Sequence, residues 1–299
     1  MRVPKAIIGA TLTALALTAC GNASGGADDL KVGIVNLVSH PALDAAQEGF
    51  VEGLAEAGYE EGKNLTLDIQ NASGDQSTLT SIAGSFATGD HDVYYAIATP
   101  SAQALSQVIT DRPIVFAAVT DPVAAGLVSS WESPDANVTG VSDLNPMDAQ
   151  VELIREVVPD ARSVGIVYSS GEVNSEVQVK EAEAAAKKLD MQVVTKTVTN
   201  SSEVQQAAAG LEADAILVPT DNVVVSAAES VVQVAEERGI PVFASDEATM
   251  ERGAAKGKEA SELPVEKQTE FDLFVNAEAA KRQGVTLPEA VIERAAKQF

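Results

Sequence analysis

The sequence predicts an α/β protein with two Rossmann-like lobes, each built on a parallel sheet, and a ligand cleft between them. Short apolar runs of strand type alternate with segments of helical periodicity, and this order implies a parallel sheet covered by helices on both faces. The order occurs twice, and Val-Gly-Ile-Val stands both at residues 32–35 and at residues 164–167. With 299 residues, of which 45% are hydrophobic, the chain is long enough for two such cores.

The first lobe is predicted over residues 31–142. Leu43, Phe50 and Leu54 recur at helical spacing, whereas Leu65 and Leu67 alternate with polar residues as in a strand. Strands are expected at residues 31–37, 64–70, 93–98, 113–119 and 138–141, and helices at 41–57, at 77–87 and from the 99–101 segment to about 109. Of these strands, the apolar run at residues 93–98 is expected to be buried.

The second lobe is predicted over residues 143–246, after a crossover near residues 142–146. Its first helix carries Leu153, Ile154 and Val157 on one side and is stopped by Pro159. Helices are expected at residues 148–158, 174–189 and 202–209 and in a segment ending near 238, and strands at 164–168, 191–197, 215–218 and 241–244. Residues 247–299 are expected to return to both lobes, with a strand at 271–275 and helices at 277–283 and 288–296.

The first 30 residues are expected to lie outside the fold. Arg2 and Lys5 precede an apolar run at residues 7–17, which is the pattern of a signal peptide and is too short to span a bilayer. The run ends in Leu-Thr-Ala-Cys, so Cys20 is the predicted lipidation site of a lipobox, and residues 21–30 form a flexible tether. The alternative is an ordinary secretory signal that ends in cysteine. The prediction is a protein on the extracytoplasmic face of a cell membrane, held there by lipid.

Composition and motifs argue against several classes of function. A formal net charge of −24 argues against nucleic acid and anionic lipid as partners. A glycine-rich dinucleotide fingerprint, a P-loop and a nucleophile elbow are all missing from the sequence. The chain has one cysteine and two histidines, which gives no zinc spacing. We therefore expect no metal, no cofactor and no enzymatic activity.

Polar residues concentrate where the predicted strands end, which is where open α/β sheets bind ligands. Hydroxyls near helix starts suit a carboxylate, and the acids suit an ammonium group, so the set fits a zwitterion. In the first lobe the candidates are Ser39, His40, Thr99, Ser101, Thr120 and Asp121. In the second they are Glu172, Asn174, Ser175, Thr220, Asp221, Asn222 and Asp246. Two simpler roles stay open: Ser101 and Asn222 as helix N-caps, and Asp121 as a turn residue.

An ordered set of short stretches resembles the solute-binding lipoproteins of ABC transporters that have a type I periplasmic-binding-protein fold. The closest subfamily is the one that binds tryptophan and other aromatic amino acids. Besides the lipobox, the carrying stretches are His-Pro-Ala-Leu-Asp at 40–44, Ala-Thr-Pro-Ser at 98–101, Val-Thr-Asp-Pro-Val at 119–123, Gly-Glu-Val-Asn-Ser at 171–175, Pro-Thr-Asp-Asn at 219–222 and Ser-Asp-Glu at 245–247. The resemblance implies a monomer that closes on a small solute and delivers it to a permease driven by an ATPase on other chains.

The chain departs from that family pattern after about Ala254. Residues 253–258 run almost directly into Leu-Pro-Val-Glu at 263–266, where the family has a further strand and helix. The expectation is a shortened second lobe with exposed apolar surface. Two other functions are compatible with the same pattern: an exported α/β enzyme acting on a small polar substrate, and a ligand sensor that signals through a membrane partner.

Overall fold

The computed structural model describes residues 29–132, 137–245, 266–267, 273–275, 277–283, 286–295 and 297–298. The first lobe, called the N-lobe, is a parallel sheet with helices packed against it. Its elements are β1 (Leu30–Asn36), α1 (Pro41–Glu56), β2 (Leu65–Asn71), α2 (Gln76–Thr88), β3 (Val93–Ile97), α3 (Thr99–Ser106), β4 (Ile114–Ala117) and β5 (Val138–Ser142). These strands lie in the order β5-β4-β3-β1-β2, and all their pairings are parallel.

The second lobe, the C-lobe, repeats this topology. It comprises α4 (Met147–Val157), β6 (Ser163–Ser169), α5 (Val173–Lys188), β7 (Gln192–Val198), a 3₁₀ turn (Ser201–Glu203), α6 (Val204–Ala209), β8 (Ala215–Val218), α7 (Asn222–Val225), α8 (Ala228–Arg238) and β9 (Val242–Ala244). The strands pair in parallel in the order β7-β6-β8-β9. The predicted fold class, two parallel-sheet α/β lobes, is confirmed.

The end of the chain adds small elements to both lobes. β10 (Glu266–Lys267) pairs with β5 and extends the N-lobe sheet to six strands. β11 (Phe274–Val275) pairs with β12 (Lys297–Gln298), and α9 (Ala277–Arg282) and α10 (Glu289–Arg294) lie between them in sequence. Val275 and Val291 pack with Val157 of α4, which places this part of the chain against the C-lobe.

The two cores are built from different side chains. The N-lobe core contains large buried side chains, including Phe86, Tyr94 and Phe116. In the C-lobe, Ala182 and Ala186 of α5 are fully buried, so this helix packs closely on its sheet through small residues. Close packing also explains Gly140, where a Cβ would lie 2.1 Å from the Phe116 carbonyl oxygen. Both lobes therefore hold their strands, and the loops that follow them, on well-packed frames.

Some predicted boundaries were wrong. α3 ends at Ser106 rather than near 109, and the helix expected to end near 238 is two helices, α7 and α8. β10 and β12 are two-residue strands, too short to show a hydrophobic period, and were not predicted. The signal peptide, residues 21–28 of the tether, Cys20, Asp246 and the departure after Ala254 lie outside the described residues. Within the part of the chain that the structure describes, no helix has the length and apolarity needed to cross a membrane.

Candidate functional site

The candidate site lies at the carboxyl ends of the C-lobe strands and is centred on Glu172. This side chain is 4% exposed. Glu172 precedes α5, yet its carboxylate does not cap that helix. Oε2 instead accepts hydrogen bonds from Asn174 Nδ2 (2.9 Å), from Asn222 Nδ2 (2.5 Å) and from the Asn222 backbone N–H (3.2 Å), and Oε1 accepts from the Val223 N–H (3.3 Å). Glu172 therefore ties the loop before α5 to the start of α7.

Asp221 is a second carboxylate in the same network and is completely buried. Its Oδ2 accepts from the Ser169 backbone N–H (2.5 Å) and from Ser175 Oγ (2.6 Å). Its Oδ1 accepts from the Val224 N–H (2.8 Å), so Asp221 is the N-cap of α7. The residue joins the end of β6, the first turn of α5 and the first turn of α7.

The two carboxyl groups, which we call the acid pair, have no balancing cation among the described residues. Burial, followed by the negative charge of Asp221, raises the pKa of Glu172 to about 7, although the Asn174 and Asn222 donors act in the opposite direction. Burial likewise raises the pKa of Asp221. Among the described residues no Lys, Arg or His forms an ion pair with either acid, and no cluster of acids, histidines and cysteines suits a metal.

Asn174, which lies beside the acid pair, has one side-chain atom that is hydrogen-bonded and one that is not. Its Nδ2 donates to Glu172 and to the Thr220 carbonyl (3.0 Å), which fixes the orientation of the amide. Its Oδ1 is buried and has no hydrogen-bond partner among the described residues, and the residue as a whole is 2% exposed. Gln178, one turn further along α5, donates to the Asn174 carbonyl (3.1 Å) and accepts from the Thr220 N–H (3.0 Å). An acceptor is thus held rigidly at the start of α5.

On the N-lobe, α3 presents two hydroxyl groups of a similar kind. Thr99 and Ser101 stand in its first turn and are 1% and 0% exposed, and neither hydroxyl has a hydrogen-bond partner in the part of the chain that the structure describes. The residue before them, Ala98, has φ 79° and ψ 153°, a region that residues other than glycine rarely adopt. α3 and α5 contact each other across the lobe boundary, and each helix carries its unpartnered atoms in its first turn.

Thr120 connects the lobes. Its hydroxyl donates to Asp143 Oδ1 (3.0 Å) and lies 3.4 Å from the hydroxyl of Thr220. Its carbonyl accepts from Ser142 Oγ (2.8 Å). Thr220 is in turn held by Asn174 and Gln178, so a continuous set of polar contacts runs from the crossover segment to the acid pair.

The structure brings together most of the predicted site residues and separates a few. The residues in the network or in the first turns of α3 and α5 are Thr99, Ser101, Thr120, Glu172, Asn174, Ser175, Thr220, Asp221 and Asn222. Ser39 is exposed and donates to Asp44 (2.7 Å), and His40 precedes α1 without capping it. Asp121 accepts from the Val123 and Ala124 N–H groups, which is the turn role left open above. The N-cap alternatives for Ser101 and Asn222 are wrong, because Ala98 and Asp221 hold those positions.

Sequence reasoning missed Gln178 and Asp143. Gln178 lies four residues after Asn174, on the same face of α5, and that spacing is the signal that identifies it. Asp143 directly follows β5, so it follows the same rule of strand ends that selected the other candidates. Both support the positions of Thr120 and Thr220.

Comparisons with known proteins identify the family of this fold. A family model described as ABC transporter substrate binding protein matches residues 31–255. The "Tyrosine-binding protein" of Clostridioides difficile (strain R20291) is 40% identical over 275 residues, covering 84% of this chain and 80% of that protein. A crystal structure of an ABC domain in complex with L-Trp, from Streptococcus pneumoniae, has a TM-score of 0.85 at 33% identity and covers 91% of this chain and 100% of that chain.

A ligand-free, open substrate-binding protein from Clostridium difficile has a TM-score of only 0.63, although it is 38% identical and covers 90% of this chain and 98% of that chain. A lower TM-score at equal or higher identity is what a different arrangement of the lobes produces. The contact between Thr120 and Thr220 shows directly that the lobes meet here. The present arrangement is therefore nearer to that of the L-Trp complex, and the sequence resemblance is confirmed. The chain belongs to the ABC transporter substrate-binding protein family.

Proposed function

We propose that this protein captures an amino acid, with an aromatic amino acid as the first candidate, between its two lobes. The observation that carries the proposal is a set of buried polar atoms without a partner among the described residues, in the first turns of α3 and α5, two helices that contact each other: Thr99 Oγ1, Ser101 Oγ and Asn174 Oδ1. Buried polar groups in folded proteins nearly always have partners, so a ligand that supplies them is the simplest explanation. The relatives named for tyrosine and crystallised with L-Trp support an aromatic side chain.

The chemistry of the two helix starts favours one orientation of the ligand. Thr99 and Ser101 offer hydroxyl donors beside the free N–H groups of α3, an arrangement that binds a carboxylate. Asn174 Oδ1 accepts only, and it lies beside the acid pair, so it suits an ammonium group. We infer that the α-carboxylate of the ligand faces the N-lobe and that its α-amino group faces the C-lobe.

Calorimetric titration of the purified protein with L-tyrosine, L-tryptophan, L-phenylalanine and L-leucine tests this proposal. We expect micromolar or tighter binding of at least one aromatic amino acid and much weaker binding of L-leucine. Ser39→Ala is the matched control, because that exposed hydroxyl lies outside the network and its loss leaves the affinity unchanged. No heat of binding with any of the four amino acids would contradict the proposal.

The further roles follow from family membership and the sequence. We propose that the protein acts as a monomer, releases its solute unchanged to a permease and ATPase, and is held on the outer face of the membrane by lipid at Cys20. Chromatography of the ligand after long incubation tests the absence of catalysis, and recovery of a modified product would contradict it. Cys20→Ser is expected to move the protein from the membrane fraction to the soluble fraction.

A further inference from the structure

Two carboxyl groups share one buried network on the C-lobe side of the site. Glu172 and Asp221 are 4% and 0% exposed, and both are linked to the first turn of α5, through Asn174 and Ser175 respectively. Their hydrogen-bond donors are backbone N–H groups, two amides and one hydroxyl, none of which carries a charge. Burying two anions together without a cation is unfavourable, so the network invites either a proton or a positively charged ligand.

The side chain of Asn174 indicates that the site can bind a positively charged ligand. Asn174 donates to Glu172 through Nδ2, and its Oδ1 is buried without a partner among the described residues. This oxygen can only accept, so it does not serve a ligand carboxylate. A protonated amine can donate a hydrogen bond to Asn174 Oδ1 and can also balance the negative charge of Glu172 and Asp221.

We propose that the acid pair releases one proton to solvent when the protonated amine of the ligand binds. The inference rests on the proposed function, which it deepens by giving the proton balance of binding on the C-lobe side of the site. A molecule of the same shape that lacks the amine leaves both the acid pair and Asn174 Oδ1 unbalanced.

The charges balance in this exchange. Without ligand, and below pH 7, the acid pair holds one proton and carries one negative charge. When the ammonium group binds, that proton leaves and both carboxylates ionise, so two negative charges and one positive charge again sum to one negative charge. The buried charge of the site is therefore the same in both states, which avoids the cost of adding an uncompensated charge.

The groups that face the acid pair are consistent with one exchangeable proton. Asn222 on α7, Ser169 at the end of β6, and Asn174 and Ser175 on α5 are neutral. Glu176, in the first turn of α5, is exposed, and Asp143 is separated from the pair by the Thr120 and Thr220 hydroxyls. Burial and the charge of Asp221 raise the pKa of Glu172 to about 7, so near neutral pH this proton is easily given up.

Calorimetry of the intact protein with L-tyrosine and L-tryptophan tests the proposal. At pH 7, heats measured in phosphate and in Tris, which differ in ionisation enthalpy, are expected to differ by the release of about half a proton per ligand, rising to about one at pH 6. The affinity is expected to rise about tenfold between pH 6 and pH 8. Equal heats in both buffers together with a constant affinity would overturn the proposal.

Analogues and variants complete the test. We expect 3-(4-hydroxyphenyl)propionate, which is tyrosine without its amine, to bind at least a hundredfold more weakly than L-tyrosine. Glu172→Gln should remove both the proton release and the pH dependence, whereas Asp214→Asn, which alters an exposed carboxylate with three donors outside the site, should keep both. Binding of an amino acid without proton release overturns this inference alone, whereas no binding at any pH overturns the proposed function and this inference with it.

Discussion

The two lobes have the same topology but contribute opposite kinds of surface to the site. The C-lobe supplies a closed hydrogen-bond network in which two buried acids each accept several bonds. The N-lobe supplies two hydroxyls, on Thr99 and Ser101, that make no hydrogen bond with any residue the structure describes. The two C-lobe acids are therefore satisfied within their own lobe, where Asn174 Oδ1 is the exception, whereas the hydroxyls of Thr99 and Ser101 are not satisfied within the N-lobe.

This difference separates folding from binding. Because the C-lobe polar groups hold β6, α5 and α7 together, we expect changes there to affect stability as well as affinity. Because the N-lobe hydroxyls bind no residue that the structure describes, we expect their loss to affect affinity alone. A buried polar group that lacks a partner lowers stability, and a ligand recovers that cost when it binds.

The largest expected effect is the loss of stability in Asp221→Ala. The change leaves the donors of Ser169, Ser175 and Val224 buried without an acceptor. At about 1–3 kcal/mol for each donor, and with some relief from reduced repulsion of Glu172, we expect the free energy of unfolding to fall by about 4 kcal/mol. Urea denaturation followed by circular dichroism measures it.

Asp214→Ala is the control for that experiment. Asp214 also accepts three hydrogen bonds, from the Arg162 and Ser163 N–H groups and from Ser163 Oγ. Unlike Asp221, it is exposed, and it lies at the amino end of β8. Water replaces its bonds, so a loss of about 1 kcal/mol is expected. An equal loss of unfolding free energy in the two variants would show that the burial of Asp221 does not increase the contribution of its hydrogen bonds to stability.

The next effect is a pH dependence of stability in the ligand-free protein. The pKa of Glu172 is raised from 4.5 to about 7, so between these values the folded state binds more protons than the unfolded state. Stability is therefore expected to fall as the pH rises from 5 to 8, by about 2.5 kcal/mol. The pKa values of Asp214, Asp75 and Glu203 are lowered, and these groups act at more acidic pH, so they do not mask the change.

Urea midpoints measured at pH 5.5 and pH 8 test this sign. Glu172→Gln should make the two midpoints nearly equal, because the glutamine keeps the shape of the side chain without the titration. Wild-type protein that is more stable at pH 8 than at pH 5.5 would contradict the raised pKa of Glu172.

A smaller effect, on binding alone, is expected for Ser101→Ala in the N-lobe. The lost hydroxyl has no partner among the described residues, so stability should be unchanged or slightly higher. Affinity for the ligand should fall about tenfold, which corresponds to about 1.4 kcal/mol, because a hydrogen bond to a charged carboxylate is lost. Calorimetry measures the affinity and thermal denaturation the stability of the same sample. A destabilised variant would contradict the proposal that the N-lobe hydroxyls serve binding and not folding.

The fold was predictable because its signals are local. Each buried strand is a continuous apolar run, and helix faces such as that of α1 recur at the helical period, so element type followed from the sequence. The errors occur where the period is interrupted or too short. Residues 226–227 separate α7 from α8, and the two residues of β10 are fixed only by pairing with β5.

The sequence predicted most of the residues of the site but not the contacts between them. The rule of strand ends selected Glu172, Asp221 and Thr99, because parallel strands bring their carboxyl ends to one edge. The same rule also selected Ser39 and Asp121, which the structure engages in local turns and caps. Which acid faces which amide depends on side-chain directions across 50 residues of sequence, as in the contact between Glu172 and Asn222, and no local pattern encodes that.

The smallest expected effect comes from the contact that joins the two lobes. Thr220→Val keeps the shape of the side chain but removes the hydroxyl that lies 3.4 Å from the hydroxyl of Thr120. That distance is at the long end for a hydrogen bond, so the contribution to closure is expected to be about 0.5 kcal/mol, or a two- to threefold loss of affinity. The contact exists only while the lobes meet, so small-angle scattering of the ligand-free variant should show a slightly larger radius of gyration. Thr66→Val, on the exposed edge strand β2, serves as the control, and an equal change in both variants would mean that the Thr120–Thr220 pair does not favour the closed arrangement.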